Sequence, residues 1–278
     1  MSEREDPGRR RPDLALRQPR IAEMVAGLLR RQILDGTLAD GDELPRQEQL
    51  LADFGVSKPS LREALRILET EGLLTVRRGN VGGAVVHVPV PGSAAYMLGL
   101  VLQAESTDLL DLGDALRMIE PLCASLCAGR ADRLEAVVPQ LREIHASGEA
   151  VLDDERAMLD VGRRFHESLV QLCGNRTVIV VVGALESLWS AHERAWASSV
   201  HAEALPDAEG RRAGQRAHQR IIELIEAGDI DGVARAVRRH VEGAQEYARG
   251  SWVGDVAVDA STLRQPSRYL SGESWRHS

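Results

Sequence analysis

The sequence predicts a mainly α-helical chain: an N-terminal winged helix-turn-helix of three helices and a β-hairpin wing, followed by an all-α helical bundle. Three observations predict it. Apolar residues recur at helical spacing along most of the chain, two β-rich segments flank one glycine-rich tip within residues 73–88, and Pro89, Pro91 and Gly92 break the pattern directly afterwards. With 278 residues, 44% of them apolar and 27% charged, there is material for two domains, and neither a disordered nor a fibrous chain fits.

Residues 1–18 are expected to be a flexible arm, with Arg9, Arg10 and Arg11 solvated and free to touch phosphates; 19–90 form the winged domain. Ile21, Met24, Val25, Leu28 and Leu29 mark a first helix ending near Asp35 and Gly36. Pro45 suits the first turn of a short second helix with apolar Leu50, Leu51 and Phe54, stopped by Gly55. Ser57 can cap the third helix, Pro59 sits in its first turn, and Leu61, Ala64, Leu65 and Leu68 line one face until Gly72. The wing strands are Leu73 to Arg77 and Ala84 to Val88.

Beyond the break, 91–108 read as a linker and connecting helix, 109–249 as the helical domain and 250–278 as a loose tail. Candidate helices cover about 93–102, 109–128, 132–149, 153–173, 177–200, 209–227 and 229–249, punctuated by Gly129, Gly148, Gly174, Pro206 and Gly228, with Asn175 as a helix cap. No fixed-period repeat argues for a solenoid.

The net charge of −8 argues against nucleic acid only as an average. Residues 1–90 hold fourteen basic and fourteen acidic side chains, so the whole acidic excess lies downstream. The longest apolar stretch, Val178 to Leu185, is far below the roughly 20 residues that span a bilayer. The charged N-terminal segment lacks the apolar region of a secretory signal, and three cysteines build no disulfide framework, so a cytoplasmic protein is expected. Cys123 and Cys127 read as small core residues rather than a redox or metal pair. Aromatic content of 3% argues against single-strand stacking surfaces.

On the third helix Lys58, the only lysine, recurs with Arg62 and Arg66 at i, i+4 and i+8, a basic stripe away from the leucine face. Such a stripe near a helix N-terminus suits base edges and phosphates in the major groove of double-stranded DNA. Arg77 and Arg78 at the wing tip can approach the backbone or minor groove. The competing reading is a solvated face with Glu63 and Glu69 as intrahelical partners; helix-turn-helix order and the wing weigh against it.

Residues 41–86, with LP at 44–45, GVSKPSLREAL at 55–65, EGL at 71–73 and RRGNVGG at 77–83, resemble the winged-helix domain of the GntR family of bacterial transcription regulators. The resemblance implies DNA contacts from Lys58 and Arg62 and close approach of Gly79 to the minor groove; Ser57, Ser60, Arg66, Arg77 and Arg78 complete the candidate surface. Glu48 stands where many members place an arginine, which leaves Arg46 as the candidate for that contact.

Downstream, His166, His218 and His240 lie on apolar helical faces, and three converging imidazoles are good ligands for a zinc, nickel or manganese ion. Each alone is more often a hydrogen-bonded core residue. The runs LRMIEP (116–121), RRFHESLVQLCGN (163–175) and AHQRIIELIEAGDIDGVARAVRRHVEGA (217–244) resemble the FCD domain of the FadR subfamily. That resemblance implies a homodimeric, ligand-responsive regulator, a repressor more often than an activator, reading an inverted-repeat operator and sensing a small carboxylate with Arg117. It implies one divalent metal ion on the three histidines. The aspartate that completes the set four residues before the first histidine is Gly162 here, and Asp160 lies about 200° around the helix from it. Metal-independent fatty-acyl sensing is the alternative. A helical metal-dependent enzyme is the rival class, disfavoured because no H-E-x-x-H, G-x-S-x-G or P-loop pattern occurs.

Overall fold

A computed structural model of the chain describes residues 21–77, 83–201, 205–251, 253–254 and 256–263. It divides at Pro89 and Val90 into two compact units.

In the first unit α1 (Ile21–Leu34), α2 (Gln47–Phe54) and α3 (Lys58–Thr70) precede a hairpin of β1 (Leu74–Val76) and β2 (Ala84–Val86). The strands pair antiparallel with Leu74 opposite Val86 and Val76 opposite Ala84. Leu29, Ile33, Leu61, Leu68 and Val86 are fully buried together. The α1 face differs from expectation: Ala22, Val25, Ala26, Leu29 and Ile33 point inward, while Ile21, Met24 and Leu28 are exposed. Pro45 lies before the N-cap of α2, which is Arg46, rather than in its first turn. Gly55 takes φ +62°, the left-handed region, so the chain turns directly from α2 toward α3. Ser57 caps α3 by accepting from the Ser60 N–H.

The second unit holds α4 (Pro91–Ala104), α5 (Leu109–Gly129), α6 (Arg133–Ala136), α7 (Val138–Ala150), α8 (Glu155–Gln171), α9 (Arg176–Ser199), α10 (Ala208–Ala227) and α11 (Ile230–Ser251). One core joins α5 and α7 to α11 around Phe165, Leu169, Ile221, Ile222 and Ile225. The helix expected over 132–149 is two, because the backbone at Val137 (φ −106°, ψ −59°) caps α6 and opens α7. Gly148 is no terminator: it is buried inside α7, where a Cβ would meet the Gln215 amide at 2.8 Å. Asn175 does cap α9, accepting from the Thr177 and Val178 N–H groups.

Two segments outside the expected bundle pack onto it. The expected connecting helix, α4, lies against α9, with Gly99 so close to Leu188 and Ala260 that a Cβ would sit 2.9 Å from the leucine. Residues 253–254 and 256–263, expected as part of a loose tail, form a strap instead. Val253, Val258 and Ala260 are buried beside Leu109, Leu112 and Leu188, and Ala257 bridges Asp108. Helical periodicity could not show this, since the strap is held by burial against distant helices and by His192. That ring donates from Nδ1 to the Leu188 carbonyl (2.8 Å) and accepts the Asp259 N–H at Nε2 (2.9 Å), which fixes its tautomer.

If the strap is integral, Val258→Asp, which buries an unpaired charge, lowers stability by about 3 kcal/mol or more. Val256→Asp, at an exposed position, stays within about 0.5 kcal/mol. Thermal unfolding of the full chain separates them, and equal melting temperatures would show the strap to be dispensable.

Candidate DNA-reading face and ligand cavity

Lys58, Arg62 and Arg66 stand exposed on α3, opposite its buried Leu61, Ala64 and Leu68. Among the described residues none of the three cationic groups has a hydrogen bond or ion pair. Glu69 instead accepts the Val76 N–H, so the intrahelical-partner reading loses its best candidate. Arg46, at the N-cap of α2, is also exposed and unpaired. Arg77 differs, bonding to Glu43 at 2.6 Å. The hydroxyls of Ser57 and Ser60 face each other at 2.9 Å, one of them being the α3 cap. The expected contacts from Arg78 and Gly79 lie outside the described residues. The first unit therefore presents fixed cations at the start of α3, the arrangement that sequence-specific major-groove readers use.

In the second unit a cavity of about 660 Å³ is walled by α5, α8, α9, α10 and α11. His166 of α8, His218 of α10 and His240 of α11 meet in it. The Nε2 atom of His240 lies 3.2 Å from that of His166 and 3.0 Å from that of His218. Phe165 stacks on His218 with ring centroids 3.9 Å apart, and the His166 and His240 rings lie parallel. Behind His166, its Nδ1 donates to Glu120, a residue only 2% exposed.

An imidazole nitrogen offers one proton or one lone pair, so Nε2 of His240 can make one good hydrogen bond to its two neighbours. The Nδ1 of His218 is buried without any partner. Burial disfavours the charged form of all three rings. In His166 the adjacent Glu120 carboxylate more than offsets that, raising the ring to about 9. Burial, with His166 next to it, pushes His240 down to about 3, and burial with both neighbours holds His218 well below the ordinary range. Two of the three rings thus stay neutral with lone pairs available.

Three converging nitrogens could hold a divalent cation, the ion displacing the proton on Nε2 of His166. A Zn²⁺ ion about 2.0–2.1 Å from each ligand atom sets tetrahedral neighbours about 3.3–3.4 Å apart, a few tenths beyond the observed contacts. Glu120, accepting from Nδ1, orients the ring so that Nε2 of His166 faces the cavity, and a carboxylate is the usual partner of a metal-ligating imidazole. Gly162 lines the cavity one turn before His166, and a Cβ there would meet nothing within 4 Å. The three histidines could therefore serve as ligands, with room left for a fourth from elsewhere. Asp160 does not fill it: it pairs with the buried Arg163, which also bonds Glu193 at 2.9 Å.

Arg117 is the site residue that the structure does not bring to this cavity. It lies with Asp114 and Glu242 at 3.4 and 3.6 Å in a separate small cleft. One helical turn separates it from Glu120, which takes the inward face of α5 and leaves Arg117 at the side. The cations at the cavity are Arg163, Arg211, Arg220 and Arg239. Arg163, Arg211 and Arg220 are paired, and Arg239 alone has no hydrogen bond or ion pair among the described residues. Sequence reading also missed Glu186, buried in the cavity wall at the end of the Val178–Leu185 run. A charged residue closing an apolar helical run was the available signal. Burial, reinforced by Glu120, pushes its carboxyl well above the usual range.

Comparison with known proteins bears on both units. Residues 21–85 match the family described as bacterial regulatory proteins, gntR family, and residues 111–243 match the FCD domain. The Uxu operon regulator of Haemophilus influenzae is 26% identical over 225 residues, 78% of either chain. The HTH-type transcriptional repressor NanR of Salmonella newport is 26% identical over 242 residues, 84% of this chain and 86% of its own. Among solved structures, a Streptococcus agalactiae GntR protein covers 81% of this chain and 99% of its own, with TM-score 0.58 and 21% identity, which shows a shared fold.

The hydrogen bond behind His166 yields a direct test. Glu120→Ala strands a buried imidazole N–H and is expected to cost about 1–3 kcal/mol in thermal unfolding, whereas Arg117→Ala, at a half-exposed site with weak partners, costs under about 1 kcal/mol. The reverse order would place the important contact in the other cleft.

Proposed function

The chain is a ligand-responsive bacterial transcription regulator that carries a gntR-family DNA-binding domain and an FCD domain, and from that premise we propose that it works as a dimeric, metal-assisted repressor whose effector is a small carboxylate. The relatives are regulators, so the reading of the three histidines as an enzyme centre is not favoured. On this proposal two copies read an inverted repeat, with Lys58, Arg62 and Arg66 in the major groove, Arg46 on phosphates, and Arg78 and Gly79 at the wing. Ser57 and Ser60 hold the start of α3. No helix among the described residues is long and apolar enough to cross a membrane, and the proposed place of action is the cytoplasm, on DNA.

The observation that carries the effector half is the meeting of three imidazole nitrogens around one point of a largely apolar cavity. His166, His218 and His240 would hold zinc, nickel or manganese. When bound, the ion supplies a positive anchor for an anionic ligand group. The chain's own residues do the rest. Glu120 holds His166 in register, Phe165 fixes the His218 ring, Gly162 keeps the approach open, and Arg239 offers a guanidinium to a carboxylate. An effector acts by changing the separation of two recognition helices in a dimer, for which a coupling of about 1–3 kcal/mol suffices. Membership of the FadR subfamily within this family is part of the same proposal, resting on the motif runs around Glu120, His166 and His240.

Elemental analysis of the purified protein is expected to find about one divalent metal per chain, lost in a His166→Ala, His218→Ala double variant. Gly162→Asp places a carboxylate beside His166 and should slow metal loss to a chelator. Absence of metal from a folded wild-type protein would defeat the metal-assisted reading. On the DNA side, Arg62→Ala is expected to weaken binding to an in vitro selected operator by about 10- to 100-fold, with unfolding unchanged. Retained affinity at moderate salt would sink the role given to the stripe.

A further inference from the structure

The wall of the cavity on α9 carries groups that the metal-and-carboxylate reading leaves idle. Glu186, Ser190 and Glu193 recur at i, i+4 and i+7, so one polar stripe of α9 faces the cavity, with Trp189 beside it. Glu193 is bonded to Arg163. Glu186 and Ser190 are 5% and 1% exposed, yet among the described residues neither side chain has a hydrogen bond or ion pair. Buried polar groups are ordinarily partnered, and a pair left open toward a cavity is a recognition device or a defect. Leu116, Met158, Trp189 and Val241 give the cavity apolar wall beside them.

We propose that Glu186 and Ser190 select a polyhydroxylated carboxylic acid by hydrogen-bonding its hydroxyl groups, so that the cavity discriminates against an alkyl carboxylate of the same length. This rests on the reading of the cavity as the effector site. A carboxyl and a hydroxyl one helical turn apart offer donors and acceptors together, which match neighbouring hydroxyls on a carbon chain. The apolar surround takes the C–H faces of that chain, and the histidine cluster or Arg239 takes its carboxylate. Burial favours the neutral form of the Glu186 carboxyl, which suits a neutral hydroxyl partner better than an ammonium group. An alkyl chain in the same place would leave both groups unpaired, a penalty of about 10- to 100-fold in affinity.

The test is calorimetric titration of the full-length protein with gluconate, glucuronate and galacturonate on one side and hexanoate and adipate on the other. At least one of the hydroxy acids is expected to bind about tenfold or more tightly than either alkyl acid. Glu186→Leu should weaken it by about 10- to 100-fold without weakening hexanoate, and Glu186→Gln, which keeps a donor and an acceptor, should retain most of the affinity. Ser190→Ala supplies the same comparison if the leucine variant fails to fold by circular dichroism. The proposal is overturned if an alkyl acid binds as tightly, if none of the three hydroxy acids binds, or if folded Glu186→Leu and Ser190→Ala leave the preference intact. Release of operator DNA by hexanoate alone would defeat this inference and keep the effector reading. Binding of a hydroxy acid with no change in DNA affinity would do the reverse.

Discussion

The second unit is organised by the bond between Glu120 and His166, a charged pair set at one end of a helical bundle with an apolar core. Taking two such groups out of water costs several kcal/mol per ion unless each finds a partner. Here the carboxylate of α5 takes the Nδ1 proton of α8, and that contact turns the other edge of the ring toward α10 and α11. The placement of His218 and His240 is then meaningful, because their nitrogens meet an edge already fixed in direction. Phe165 gives the His218 ring a stacked neighbour, and Leu169 and Ile221 close the core below. The site is thus the polar end of a continuous core rather than a graft on its surface.

Helix α9 serves both sides of the unit. Its Glu186, Trp189, Ser190 and Glu193 line the cavity, while Leu188 and His192 take the strap formed by 253–254 and 256–263, and the packed face of α4. These two sets alternate at helical spacing, so a rigid rotation of α9 would disturb both at once. Gly99 shows how tight the second face is, since even one methyl would press on Leu188 and Ala260. His192 is a useful contrast with the cavity histidines. It satisfies both ring nitrogens with backbone groups and so is structural, whereas Nδ1 of His218 is left with none.

In the first unit the same accounting separates architecture from recognition. Arg30 is committed to Glu71 and Arg77 to Glu43, so these guanidinium groups brace helix and strand. Lys58, Arg62 and Arg66 brace nothing. Their desolvation on binding an anionic surface would break no internal contact, which is what a cation reserved for phosphates or base edges requires.

The sequence by itself determined the elements of the first unit and the helical character of the second, because both rest on local signals: leucine periodicity, Ser57 and Asn175 as caps, and the left-handed glycines at 36, 55, 72 and 228. It placed three histidines on apolar faces, and the structure brings them together. Only the tertiary structure decided what surrounds them. Periodicity places a residue on a face but says nothing of what the neighbouring helix brings to it, so Glu120 rather than Arg117 came to stand behind His166. For the same reason Asp160 was drawn to Arg163, and Glu186 was left facing the cavity. The strap was hidden for a different reason. Its residues have neither helical nor alternating pattern, and their order comes from burial against α4, α5 and α9 and from one imidazole of α9, contacts separated by many residues in the chain.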